Sequence, residues 1–154
     1  MRRKWVGDDL GQSLVEIALS LPMLTFLLLG GADMARGYAV QLAVQDGARA
    51  GAEAAAIDYS PTVVKAQARA CDEMGRTPGM NVSTCPNNPD KPAVYVTFAQ
   101  SDGTTACVNP PTLTNPCFAT VRVVYTFQTV TPWPLIPNTF TIDRTTTMRM
   151  FASP

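Results

Sequence analysis

The residues whose chemistry stands out are Gly11-Gln12-Ser13-Leu14-Val15-Glu16, which set one carboxylate at the head of an uncharged apolar run, Ile17–Ala32. Holding a glutamate as an ion in hydrocarbon is unfavourable by a few kcal/mol, so Glu16 needs a partner or a position at headgroup depth. A cut after Gly11 would supply the partner. Gln12 would then carry an α-amino cation four residues before Glu16. Such a cation and anion, near the start of apolar helices, can pair between neighbouring subunits while the apolar faces pack.

The other reactive side chains are four thiols: Cys71, Cys85, Cys107 and Cys117. An even count behind a membrane or export signal points to disulfides in an oxidising compartment. The alternative is a metal site of four thiolates, but no C-x-x-C occurs and the spacings are long and uneven. Three pairings are open, and Cys71–Cys85 with Cys107–Cys117 is the sequence-local choice. The chain of 154 residues has no histidine, so a cysteine nucleophile lacks its usual base. No G-x-S-x-G, Walker A or G-x-G-x-x-G pattern appears. Enzyme chemistry, a resident metal, a cofactor and a small-molecule substrate are therefore not expected. The 12 basic and 12 acidic residues balance and are scattered, so nothing calls for nucleic acid. Asp72-Glu73 reads as a solvated pair close to Arg69 and Arg76. Asn81-Val82-Ser83 fits the glycosylation sequon and reads as loop or edge strand.

The elements that must position these groups divide the chain. Of the 13 prolines, all but Pro22 lie at or beyond Pro61, which implies a helical first third and a loop-rich remainder. Arg2, Arg3 and Lys4 lie in a basic leader, and positive charge flanking an apolar run stays cytoplasmic. A conventional signal peptide, cut after Gly30 or Ala32, is the competing reading. Against it stand the acid in the apolar run and the helix-favouring sequence beyond. Ile17–Ala32 covers roughly 24 Å as a helix. That is a little short of a ~30 Å hydrocarbon core, and starting at Leu10 makes up the length. Pro22 predicts a kink.

Helical character continues to about Ile57. Gln45, Asp46, Arg49 and Glu53 share one face, where ion pairs at helical spacing are expected. Ala43, Gly47, Gly51 and Ala55 form a small-residue ladder on the other side, which lets another element approach closely. The spacing leaves open whether that element is a neighbouring subunit or the chain's own domain. Asp58–Pro61 breaks the helix, and Ser60 is expected to cap a second one over Thr62–Met74 that ends at Gly75. Beyond Thr77 the period changes to two. A short strand is expected around Met80–Thr84 and another through Val94, Val96 and Phe98, with a turn at Asp102-Gly103. Cys107–Cys117 reads as a loop clipped at its base. A strand over Ala119–Val130 faces Val121, Val123, Tyr125 and Phe127 inward. The proline-rich connection Thr131–Pro137 follows. A last strand, Thr139–Phe151, aligns Phe140, Ile142, Met148 and Met150. The fold class is α+β: a long N-terminal transmembrane helix followed by a small antiparallel sheet domain.

Gly11-Gln12-Ser13-Leu14-Val15-Glu16 resembles the prepilin peptidase cleavage site of type IV pilin-like proteins. The longer run from Gly11 to Ala52 is similar to the N-terminal region of TadE-like proteins, minor pilins or pseudopilins of tight-adherence pili. Leu21-Pro22, Asp33 with Arg36, and Gln45-Asp46-Gly47-Ala48-Arg49-Ala50 fit that pattern. So does the C-terminal end, a valine-rich strand, a proline-rich link and a strand ending in Thr147-Met148-Arg149. The resemblance implies that Gly11 precedes the scissile bond, that Gln12 is the mature N-terminus and that Glu16 is the assembly acid. Gln12 in place of the Phe common in type IVa pilins, and Ile17 where the Flp major pilin has Tyr, point away from the major subunit.

The expected organisation is a cytoplasmic leader over 1–11, a membrane span over 12–32, a helical extension over 33–58 and a pilin-like extracytoplasmic α+β domain over 59–154. The expected function is assembly of a Tad/Flp-type surface pilus for adhesion or secretion. The expected partners are the membrane, prepilin peptidase, other pilin-like subunits and the Tad machinery. The competing reading is a single-pass anchored binding module that never enters a filament.

Overall fold

The computed structural model describes residues 8–58, 60–88, 91–107, 111–133 and 137–151. Most of the leader, and residues 134–136 of the proline-rich connection, lie outside the described residues.

One helix, α1 (Asp8–Ile57), takes up 50 residues and runs through Pro22 without interruption. Ser20 and Thr25 fold their hydroxyls back onto the Glu16 and Leu21 carbonyls, at 2.7 and 2.8 Å. Hydroxyls are thus bonded locally in a segment with few other polar partners. From residue 11 to 29 every side chain is exposed. From Asp33 onward a buried stripe appears at Asp33, Gly37, Val40, Val44, Gly47, Gly51 and Ala55, at helical spacing.

The second helix, α2 (Val63–Gly75), buries Ala66, Ala70 and Met74. Its cap is Thr62, whose side chain accepts the Lys65 N–H at 3.2 Å. Ser60, the expected cap, instead donates its N–H to Asp58 in a tight turn, and the cap lies two residues further on.

Four strands follow: β1 (Asn87–Asn88), β2 (Lys91–Gln100), β3 (Cys117–Gln128) and β4 (Thr139–Arg149). They form one antiparallel sheet in the order β1-β2-β3-β4. The inward face of β3 is Val121, Val123, Tyr125 and Phe127, as its alternation predicts. Along β4 the expected parity holds, with Ile142 buried and Met150 buried just past its end, while Phe140 at its start remains 44% exposed. Both strands end earlier than expected, at Gln128 and Arg149. The turn after β2 is held by Asp102, whose carboxylate accepts the Thr104 and Thr105 N–H groups and the Thr105 hydroxyl, with Gly103 at φ 74°. Those bonds hold the Asp102 carboxyl well below the usual range, the Thr105 hydroxyl first among them.

The strand expected around Met80–Thr84 does not form. Asn81 accepts the Ser83 N–H, and Val82 and Thr84 carbonyls accept the Cys85 and Asn87 N–H groups, so the backbone closes on itself as turns. The Cys71–Cys85 disulfide fastens this segment to α2, and Cys107–Cys117 closes the loop before β3.

The core lies between the sheet and the two helices. Val44, Met74, Val121 and Val123 are fully buried at its centre. α2 also covers the outer edge of β2: Gln67 donates its side-chain amide to the Val94 carbonyl at 2.8 Å. Residues of α1 between Val40 and Ala55 pack in the same buried clusters as α2 and the sheet.

Candidate functional site

Gly11, Gln12 and Glu16 lie on the exposed end of α1, with nothing within 4 Å of a Cβ placed on Gly11. The apolar side chains after them are equally bare: Leu14, Ile17, Leu21, Leu24 and Leu28 are each more than half exposed. One N-terminal helix of the described residues is long and apolar enough to cross a membrane, and none of its apolar window is buried by the domain.

The small-residue ladder has a different setting. A Cβ on Gly51 would stand 3.0 Å from the Ala66 carbonyl oxygen, 3.1 Å from the Ala70 Cβ and 3.3 Å from Val121. One on Gly47 would meet the Met74 side chain at 2.5 Å. Ala43 and Ala55 are buried in the same core. The element brought close by the ladder is therefore the chain's own α2, backed by β3. The opposite face, Gln45, Asp46, Arg49 and Glu53, is exposed as its polarity predicts. Among the described residues no ion pair joins them, and in water such pairs contribute little in any case. Arg69 and Arg76 do pair with Asp72 and Glu73, as expected of that cluster on α2. The four cysteines are consumed in the two disulfides, with Cα separations of 5.9 and 5.7 Å.

The structure adds a junction between the bare and the buried halves of α1. Asp33, 7% exposed, is the buried charged residue among those described. Its carboxylate accepts the Val130 N–H (3.1 Å), the Thr131 N–H (3.2 Å) and the Trp133 indole N–H (3.2 Å). Arg36 donates to it from one turn on, at 3.2 Å. Four donors meet the rule that a buried charge must be paired and hydrogen-bonded. They hold the Asp33 carboxyl below the usual range, chiefly through the Val130 backbone N–H and against the raising effect of burial.

The other end of the loop is tied as well. Asn138 accepts the Trp133 N–H at 2.7 Å, and its carbonyl accepts the Thr129 N–H at 2.9 Å. The indole then lies back along α1. Its outer edge would be 3.4 Å from a Cβ on Gly30, and its ring centre is 6.3 Å from that of Phe26. A methyl group at Gly30 would just touch the ring at van der Waals distance, so the indole packs close against the helix there. Beside it a groove of about 540 Å³ opens between α1 and the start of β4, walled by Phe26, Met34, Tyr38, Phe127, Trp133 and Phe140. The sequence carried two signs of this junction: an acid set just past the apolar run, and a tryptophan alone in a proline-rich link. Neither identifies its partner by itself.

Three separate regions thus hold the chemistry: an exposed N-terminal segment with Gly11, Gln12 and Glu16, a junction at Asp33, and a disulfide-closed domain. From Glu16 to Ala43 the helix rises roughly 40 Å, so the first region and the ladder cannot act together. No curated protein and no solved structure matches the chain. A family model does match, and it covers the exposed segment, the junction and the ladder in one stretch: residues 11–53 fit the family described as TadE-like protein, the family that the N-terminal motif resembles.

Proposed function

We propose that the chain is a TadE-like minor pilin or pseudopilin that takes part in assembling a Tad/Flp-type pilus. The observation that carries this reading is that the family match begins at Gly11 and runs on through an apolar helical face that the domain leaves bare. Prepilin peptidase would cut after Gly11. Gln12 would then present its amine at the head of the helix, and Glu16 would neutralise the corresponding amine of a neighbouring pilin-like subunit. Before assembly the bare segment is held in the cytoplasmic membrane, with the leader inside and the disulfide-closed domain outside, where thiols are oxidised. The role is structural, with no reaction assigned to it.

N-terminal sequencing of the mature protein tests this directly. The expected start is Gln12; a start at Met1 or near Asp33 overturns it. The second reading, an anchored binding module outside any filament, gains from one observation: the small-residue ladder is occupied by the chain's own α2 and is not left for a neighbour. Fractionation separates the two. A pilus subunit is recovered in sheared surface filaments and is lost from them on Glu16→Ala.

A further inference from the structure

Trp133 is oriented as an interfacial tryptophan. Its polar N–H points up to Asp33, and its hydrocarbon edge points down the helix to Gly30 and Phe26. Phe26 and Gly30 belong to the apolar run, and Phe26 lies roughly 10 Å below Asp33 along the axis. The loop after β3 therefore overlaps the last turns of the stretch long enough to cross a bilayer. The groove beside it continues the same surface: Phe26, Leu27, Gly30 and Gly31 line both. Above the apolar wall stand Asp33 and the half-exposed Arg36, whose guanidinium also lies 5.6 Å from the centre of the Phe127 ring. Tryptophan and tyrosine gather at this depth because they have an apolar body and a polar tip, and arginine reaches headgroup phosphates from it.

We propose that the groove and Trp133 form a bilayer-docking surface, in which phospholipid acyl chains fill the groove and the domain sits down on the membrane with Trp133 in the interfacial layer. The inference rests on the membrane-anchored reading above. Its occupant is lipid because Phe26, Leu27, Gly30 and Gly31 belong both to the groove and to the bilayer-facing span, while the polar lining, Asp33, Gln41 and Thr129, lies at residues outside that span.

The chain has two tryptophans, Trp5 and Trp133, so Trp5→Phe leaves Trp133 as the sole indole reporter. The full-length variant is reconstituted into phosphatidylcholine vesicles brominated either near the carbonyl end or near the methyl end of the acyl chains. For a ring held ~5–10 Å into the interface, shallow bromines should cut Trp133 emission roughly twofold and deep bromines clearly less. Flotation on the same samples separates the two readings. Protein that floats with its Trp133 unquenched removes the docking surface and leaves the anchor standing. Protein that does not float removes both. Floating, unquenched protein whose Met34→Cys variant cross-links between copies assigns the groove to a second copy in place of lipid.

Discussion

The two halves of α1 share one backbone and have opposite surroundings. Below Asp33 most side chains are large, apolar and bare; above it one face is polar and exposed, and the buried stripe is built mainly of small apolar residues. A soluble protein would bury the leucines and leave the alanines to chance. Here the alanines and glycines build the water-excluding core because their size lets α2 and β3 come close, and the leucines are left for a different solvent. Apolar character alone therefore says little about which part of a helix is core. Side-chain size decides it, and the change from large to small falls at Asp33, the one buried charge among the described residues.

That contrast can be broken from either side. The largest effect is expected from Met74→Ala, which opens a cavity beside Gly47 at the centre of the core. It should cost about 2–5 kcal/mol by denaturant unfolding in detergent, with flotation on vesicles unchanged. Replacing Cys71 and Cys85 together by Ser should cost about 3 kcal/mol, as expected for a loop of this length, and should act on the domain alone. A smaller, pH-dependent effect is expected at the boundary. The folded Asp33 carboxyl sits below its unfolded value, so its contribution is complete above the ordinary carboxylate range and is lost as pH falls through the lowered folded value. Asp33→Asn should flatten that acid limb, read as Trp133 emission against pH in the Trp5→Phe background. The difference from the parent isolates Asp33 from Asp58, Asp102 and Asp143, which are lowered too. Least of all should the domain notice Leu24→Ala: its unfolding should stay within about 0.5 kcal/mol, while membrane retention weakens. A clear loss of domain stability from Leu24→Ala would end the contrast.

Much of this was legible in the residues, for reasons that are local. β3 alternates over its whole length because one face is core, and period two survives any tertiary arrangement. The disulfide pairs are close in sequence, so loop closure favours them. The apolar run needs no fold to be seen. What was not legible depended on competition between near-equal choices. Ser60 and Thr62 could each cap α2, and the Asp58 turn decided between them. Met80–Thr84 has strand composition, but turn bonds from Asn81 and the link to Cys71 hold it otherwise. Asp46, Arg49 and Glu53 have ion-pair spacing, yet water competes for all three. The junction was hidden most deeply, because Asp33 and Trp133 are separated by 100 residues and only the return of the sheet brings them together.

The absence of a break in α1 has a mechanical consequence. Anchored proteins often carry a flexible tether that lets the outer domain swivel freely. Here the shaft enters the domain's core as its longest element, and Asp33 bolts the far loop to it at the collar. Any axial turn of the embedded shaft therefore swings the whole domain through the same angle. The two ends of this shaft, some 75 Å apart at ~1.5 Å per residue, are joined by one continuous run of helical backbone.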